Sequence, residues 1–164
     1  MTPNLSLRPA EPADAPAIDT LTQAAYAKWV PVLGRKPRPM TVDYAVAVGA
    51  HRIDLVEDAS GLLALIEMAL EPDHLLIVNL AVAPDWQGRG LGSRLLAHAE
   101  VVARAEGRPL LRLYTNRLMR PNIALYRSRG YTIDREEAYA SGAVVHMSKP
   151  VPAGAALAAA KSPR

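Results

Sequence analysis

The chain has 164 residues, half of them hydrophobic, enough for one domain with a full core and too apolar for a disordered segment. Lys and Arg number 19 against 16 Asp and Glu, a formal charge of +3 spread along the chain rather than clustered with aromatics as on a nucleic-acid face. There are 0 cysteines, which removes both a disulfide framework and a thiol nucleophile.

In chain order, Leu5 to Arg8 alternates as a short strand, and the Pro9–Asp14 stretch sets a turn before a helix from about Ala13 to Trp29. Its apolar face runs through Ile18, Leu21, Ala25 and Trp29, with Tyr26 on the flank. Pro31, Gly34, Pro37 and Pro39 mark a loop, and a short helix capped by Thr41 is expected over Thr41–Val48. Three strands follow, Arg52–Glu57, Leu62–Leu70 and His74–Val82, joined by gaps of hairpin length and therefore antiparallel. The apolar runs are broken by Glu67 and Asn79, too short to span a membrane, and Met1–Leu7 lacks a secretory pattern. A cytoplasmic protein with no membrane or nucleic-acid partner is expected.

Leu80-Ala81-Val82-Ala83-Pro84 then leads into Gln87-Gly88-Arg89-Gly90-Leu91-Gly92-Ser93, after which Leu91, Leu95, Leu96, Ala99, Val102 and Ala103 recur at helical spacing to about Glu106. Glycines at a strand-to-helix junction let the backbone approach a ligand, and the free N–H groups of the helix start face an anion. A dinucleotide fingerprint from Gly88 and Gly90 would need glycine where Ser93 stands, and a Walker loop would need a lysine absent from Gly92-Ser93-Arg94. Leu110–Tyr114 reads as a buried strand, parallel to its predecessor across the intervening helix. The helix Arg120–Arg129 ends at Gly130, and Tyr131–Tyr139 and Ala143–Lys149 form a last hairpin. An Ala/Pro-rich stretch, 151–164, has no apolar face and reads as a mobile tail after a single domain over 1–150.

The pattern Gln87-x-x-Gly90-x-Gly92 resembles the coenzyme A pyrophosphate loop of the GCN5-related N-acetyltransferase (GNAT) family, and Leu80–Pro84 resembles the strand end that precedes it. A second signature of the family is matched by Asn122, Tyr126 and Gly130-Tyr131, after Leu113–Asn116 as the end of a fifth strand. The resemblance implies a mixed α/β fold, the acyl-CoA N-acyltransferase fold. Its mostly antiparallel sheet would have about seven strands, splayed between strands 4 and 5 and covered by about four helices. It also implies acetyl-CoA as acyl-donor cosubstrate, bound by Leu80, Ala81, Val82, the segment Gln87, Gly88, Arg89, Gly90, Leu91, Gly92, Ser93, and Asn122. In that reading the Val82 N–H holds the thioester oxygen, and Tyr126 donates a proton to the departing thiolate. Asn122, following Pro121, equally suits a helix cap.

For the proton on the acceptor amine the residues suggest Glu67, which within an apolar strand needs a partner, a wet face or a cleft, with Asn79 holding water or substrate. The carboxylate that often precedes this Asn in the family is replaced by Val78. The four histidines are isolated in sequence, so no metal is expected, and His98, opposite the leucines of its helix, is expected at the surface. Acceptor recognition is assigned to Tyr26, Trp29, Met40 and the loop Gly34-Arg35-Lys36-Pro37-Arg38, whose three cations either attract a carboxylate or phosphate on the acceptor or form only a solvated basic loop.

The expected function is direct acetyl transfer from acetyl-CoA to a primary amine, of a small molecule or a polypeptide, since no cysteine offers an acetyl-enzyme. The alternatives are a non-catalytic acyl-CoA-binding module and a transferase of propionyl, succinyl or another acyl group. A homodimer through an edge of the last hairpin is a further expectation.

Overall fold

In the computed structural model, which describes residues 5–152, seven strands form one sheet in the order β1-β2-β3-β4-β5-β7-β6. The strands are β1 (Ser6–Pro9), β2 (Arg52–Asp58), β3 (Gly61–Leu70), β4 (Leu75–Val82), β5 (Leu110–Asn116), β6 (Thr132–Tyr139) and β7 (Gly142–Pro150). The helices are α1 (Ala15–Tyr26), the single turn α2 (Val30–Leu33), α3 (Tyr44–Ala50), α4 (Leu91–Ala105) and α5 (Arg120–Ser128). Every pairing is antiparallel except β4 with β5, as the crossover through α4 requires.

Period-2 alternation in the strands gives the sheet two apolar faces. On one, Leu95, Leu96, Ala99 and Val102 of α4 pack on Ile66, Met68, Leu75 and Leu111. On the other, Ile18, Leu21 and Ala25 of α1 and Tyr44 and Ala47 of α3 cover Ile53, Leu55, Leu65 and Ala81. The parallel ladder is short, Leu75–Ile77 against Leu111–Leu113. Beyond Ile77 the strands part, leaving an opening in the sheet.

Several local expectations are corrected. Asp43, not Thr41, caps α3, its Oδ1 accepting from the Ala45 N–H at 3.0 Å. The Thr41 hydroxyl turns back to the Arg38 carbonyl at 2.8 Å. His98 lies against β2 rather than free at the surface, its Nε2 2.7 Å from Oδ2 of Asp54, a carboxylate only 2% exposed that also accepts from Arg52 Nε. Val151, placed in the tail, is buried and donates its N–H to the Pro109 carbonyl. Pro152 is exposed, and 153–164 of that expected tail lies outside the described residues. The sheet edge of the last hairpin is β6, carrying Asp134, Arg135, Glu136 and Glu137, while β7 sits inside the sheet.

Candidate active site

The turn between β4 and α4 is built by two left-handed glycines, Gly88 (φ 76°) and Gly90 (φ 89°), the latter being the N-cap of α4. Residues with a Cβ avoid that region of φ, so the bend is specified by glycine. The first backbone bond into this helix is Arg94 N–H to the Gly90 carbonyl, which leaves the N–H groups of Leu91, Gly92 and Ser93 free to meet an anion. Gly92 serves packing: a Cβ there would lie 3.1 Å from Leu125 Cδ2 of α5. Gln87 braces the turn, Nε2 donating to the Val82 carbonyl at 3.0 Å and Oε1 accepting from Lys28 Nζ at 2.6 Å. Arg89 is exposed and rests over the Trp86 ring.

At the opening of the sheet the β4 backbone alternates. Ala83 donates its N–H to the Leu63 carbonyl of β3, and Val82 pairs opposite Ala64, so the N–H groups of Val82 and Leu80 face the gap left by β5. Backbone donors aimed at a developing oxyanion need no side chain.

The floor carries the polar groups. Glu67 is 2% exposed and Asn79 3%, and they face each other across β3 and β4. Glu67 has the partner that its burial demands: Oε2 lies 2.6 Å from His51 Nδ1, at the C-cap of α3, and Oε1 has no hydrogen-bond partner. Asn79 is engaged at both ends, Oδ1 accepting from the Tyr26 hydroxyl at 2.8 Å and Nδ2 donating to the Tyr44 hydroxyl at 3.2 Å. The single Tyr26 proton is shared between Asn79 Oδ1 and the Leu80 carbonyl, 3.1 Å away, and Tyr44 donates to the Pro39 carbonyl. Asn79 therefore ties α1 and α3 to β4. Burial raises the Tyr26 phenol well above its ordinary range and that of Tyr44 to about 12, so both stay neutral donors.

Two cavities meet here. One of about 770 Å³ is lined by Glu67, His51, Asn79 and the loop side chains Arg35 and Arg38. The other, about 500 Å³, is lined by Val82, Gln87, Gly88, Gly90 and Ser93. Tyr26, Leu80, Asn122 and Tyr126 line both. Tyr126 comes from α5, packed edge-on to Tyr131, and burial pushes its phenol up to about 12. Asn122 is in the first turn of α5, whose N-cap is Met119, so the capping alternative for Asn122 is not realised.

Of the four acceptor candidates, Tyr26 and Arg35 line the larger cavity. Trp29 lines the smaller one, and Met40 lines neither, its carbonyl accepting from Gln23 Nε2. Arg38, in the same candidate loop, also lines the larger cavity, whereas sequence reasoning missed His51, Tyr44 and Asn116. His51, isolated in the sequence, gains its partner Glu67 across the sheet, a contact that spacing along the chain does not show. Among the described residues no three metal-ligating side chains come together, and no helix is long and apolar enough to cross a membrane.

A mixed sheet opened between two parallel strands, with a glycine turn heading a helix beside the gap, is the acyl-CoA N-acyltransferase fold. Residues 45–133, just over half of the chain, match the family model for an acetyltransferase (GNAT) domain. The chain belongs to the GNAT acetyltransferase family and is an N-acetyltransferase. No curated protein matches the sequence. The fold is shared with the ribosomal-protein-S18-alanine N-acetyltransferase from Escherichia coli, at 23% identity and TM-score 0.74 over 90% of this chain and 94% of that one. It is shared with the PaiA N-acetyltransferase from Thermoplasma acidophilum in complex with coenzyme A, at 15% identity and TM-score 0.76 over 92% and 99%. A GNAT acetyltransferase from Elizabethkingia anophelis with acetyl-CoA bound aligns at 14% identity and TM-score 0.68 over 91% and 99%.

Proposed function

We propose that the chain acetylates a primary amine by direct attack within a ternary complex, with acetyl-CoA in the smaller cavity and the amine in the larger one. The Gly88–Ser93 turn and Asn122 hold the donor. The observation that carries the reading is Glu67: a buried carboxylate with one oxygen anchored by His51 and the other unpartnered, lining the larger cavity.

The amine nitrogen attacks the thioester carbonyl, and the oxygen that gains charge is met by backbone N–H groups at Val82 and Leu80. Glu67 takes the proton released from nitrogen, and His51, about one-third exposed, links that carboxylate to solvent. The C–S bond breaks and the thiolate leaves toward Tyr126. A phenol raised to about 12 is a weaker acid than a thiol near ~8.5, so outright transfer from it is uphill. Tyr126 instead stabilises the departing sulfur by donating a hydrogen bond, and the thiolate, a stronger base than a carboxylate, ends with the proton that nitrogen lost.

The test is thiol release from acetyl-CoA against a broad panel of amines, with propionyl- and succinyl-CoA alongside. Amine-dependent release that is fastest with acetyl-CoA is the expected result. Tight acetyl-CoA binding with no turnover on any amine would make the site a sensing module instead.

A further inference from the structure

The larger cavity has a feature that acetyl transfer does not use. Its rim carries two exposed guanidinium groups, Arg35 and Arg38, on the segment between α2 and α3. Like most arginines among the described residues, neither pairs with a carboxylate. Arg35 is nevertheless held in place: it donates to the Tyr139 hydroxyl at 3.0 Å and lies over the Tyr139 ring at 5.4 Å. That hydroxyl also accepts from Asn116 Nδ2 at 2.7 Å, at the open end of β5. The contact joins the two lips of the cavity, the loop after α2 and the tip of the β6–β7 hairpin. Gly142 makes room for it, since a Cβ there would stand 2.8 Å from the Tyr139 oxygen.

Four carboxylic and basic groups complete the lining. Asp43 is occupied as the cap of α3, Glu67 and His51 pair on the floor, and Glu71 lies in the turn just past the end of β3. The cations are thus gathered at the rim on one segment, above a floor that receives the amine. A planar guanidinium fixed on one side by Tyr139 presents its remaining donors in the fork that suits a carboxylate or phosphate.

We infer that the acceptor is a small primary amine that also carries an anionic group, a carboxylate or a phosphate, bound at the rim by Arg35 and Arg38. Tyr139 and Asn116 are positioning residues for Arg35. The inference rests on the acetyl-transfer reading and names its substrate class. A bridged cavity suits a compact molecule better than an extended chain laid across the lips.

The experiment pairs amino acids with their own carboxamides, and phosphorylated amino alcohols with their parent alcohols, in steady-state acetylation by the full chain. Short peptides with free N-termini form a third arm. Within pairs, the anionic member should have a kcat/KM about tenfold higher, carried by KM. Arg38→Gln should bring the ratio near one, and Tyr139→Phe and Gly142→Ala should lower it through KM while kcat stays closer to its original value. Carboxylate pairs responding without phosphate pairs, or the reverse, would identify the anion. Equal or faster turnover of the neutral members, or acetylation of peptides alone, would overturn the proposal.

The same pairs titrated calorimetrically into the protein with coenzyme A give a reading independent of turnover. Anion-dependent affinity that Arg38→Gln removes, without acetylation of any amine, would retain the rim site and sink the acetyl-transfer reading. Equal affinities within pairs would sink the rim site itself.

Discussion

His51 Nδ1 and Glu67 Oε2 lie 2.6 Å apart, joining the end of α3 to the middle of β3 on the floor of the larger cavity. Glu67→Gln keeps the shape and removes the base, so kcat/KM at neutral pH should fall about 100-fold or more. His51→Ala should cost less, and the double variant should be no slower than Glu67→Gln alone, because the two act as one unit. Additive losses in that kinetic cycle would separate their roles.

Tyr126 is held neutral by burial, its phenol pushed up to about 12. Tyr126→Phe should lower kcat about tenfold, the value of one hydrogen bond of about 1.4 kcal/mol in the transition state. Since the phenol keeps its proton below that value, the factor should be constant from about pH 6 to pH 10. Affinity for acetyl-CoA, read by calorimetry, should hardly change.

Gly90 has φ 89° and forms the N-cap of α4, with nothing within 4 Å of an added Cβ. The obstacle to a side chain there is conformational, about 1–2 kcal/mol for a residue other than glycine. Gly90→Val should weaken acetyl-CoA binding about tenfold by reorienting the first N–H groups, with little change in KM for the amine. An unchanged dissociation constant would remove this turn from the donor site.

Acid should weaken the start of α1. Two hydrogen bonds from Arg8 depress the Asp14 carboxyl to about 2, below an unfolded value near ~3.9. The group therefore stabilises the fold above about pH 4, and this contribution is lost as the pH falls toward 2. The gap in Tm between the wild type and Asp14→Asn should be present at pH 6 and close by pH 2.

Most of the fold was legible because it is written in local pattern. Alternation along Leu75–Val82, the heptad-like recurrence in Leu91–Ala103 and the glycines before it fix strand, helix and junction without distant partners. The donor side of the site was legible for the same reason, since backbone N–H groups are placed by those elements. The acceptor side was not. Trp29 shares the helical face of Ile18 and Leu21 but continues a chain that passes through a 3-10 turn, which delivers it beside the glycine turn instead. Arg35 acquires its orientation from Tyr139, 104 positions away.

What the sequence determined by itself was the order of elements, the glycine turn and the Asn122–Tyr126 helix, all consequences of spacing within one segment. Which residues meet on the floor was decided by two β-bulges. The irregularity at Val56/Glu57 sets Ile53 opposite Glu67, and the one at Glu67/Met68 sets Asn79 there from the other side. Simple continuation of each hairpin from its turn would put Arg52 and Val78 in those places, and would turn His51 to the opposite face. A shift of one residue reverses every side chain of a strand, so the pairing of His51 with Glu67 exists only in the tertiary structure.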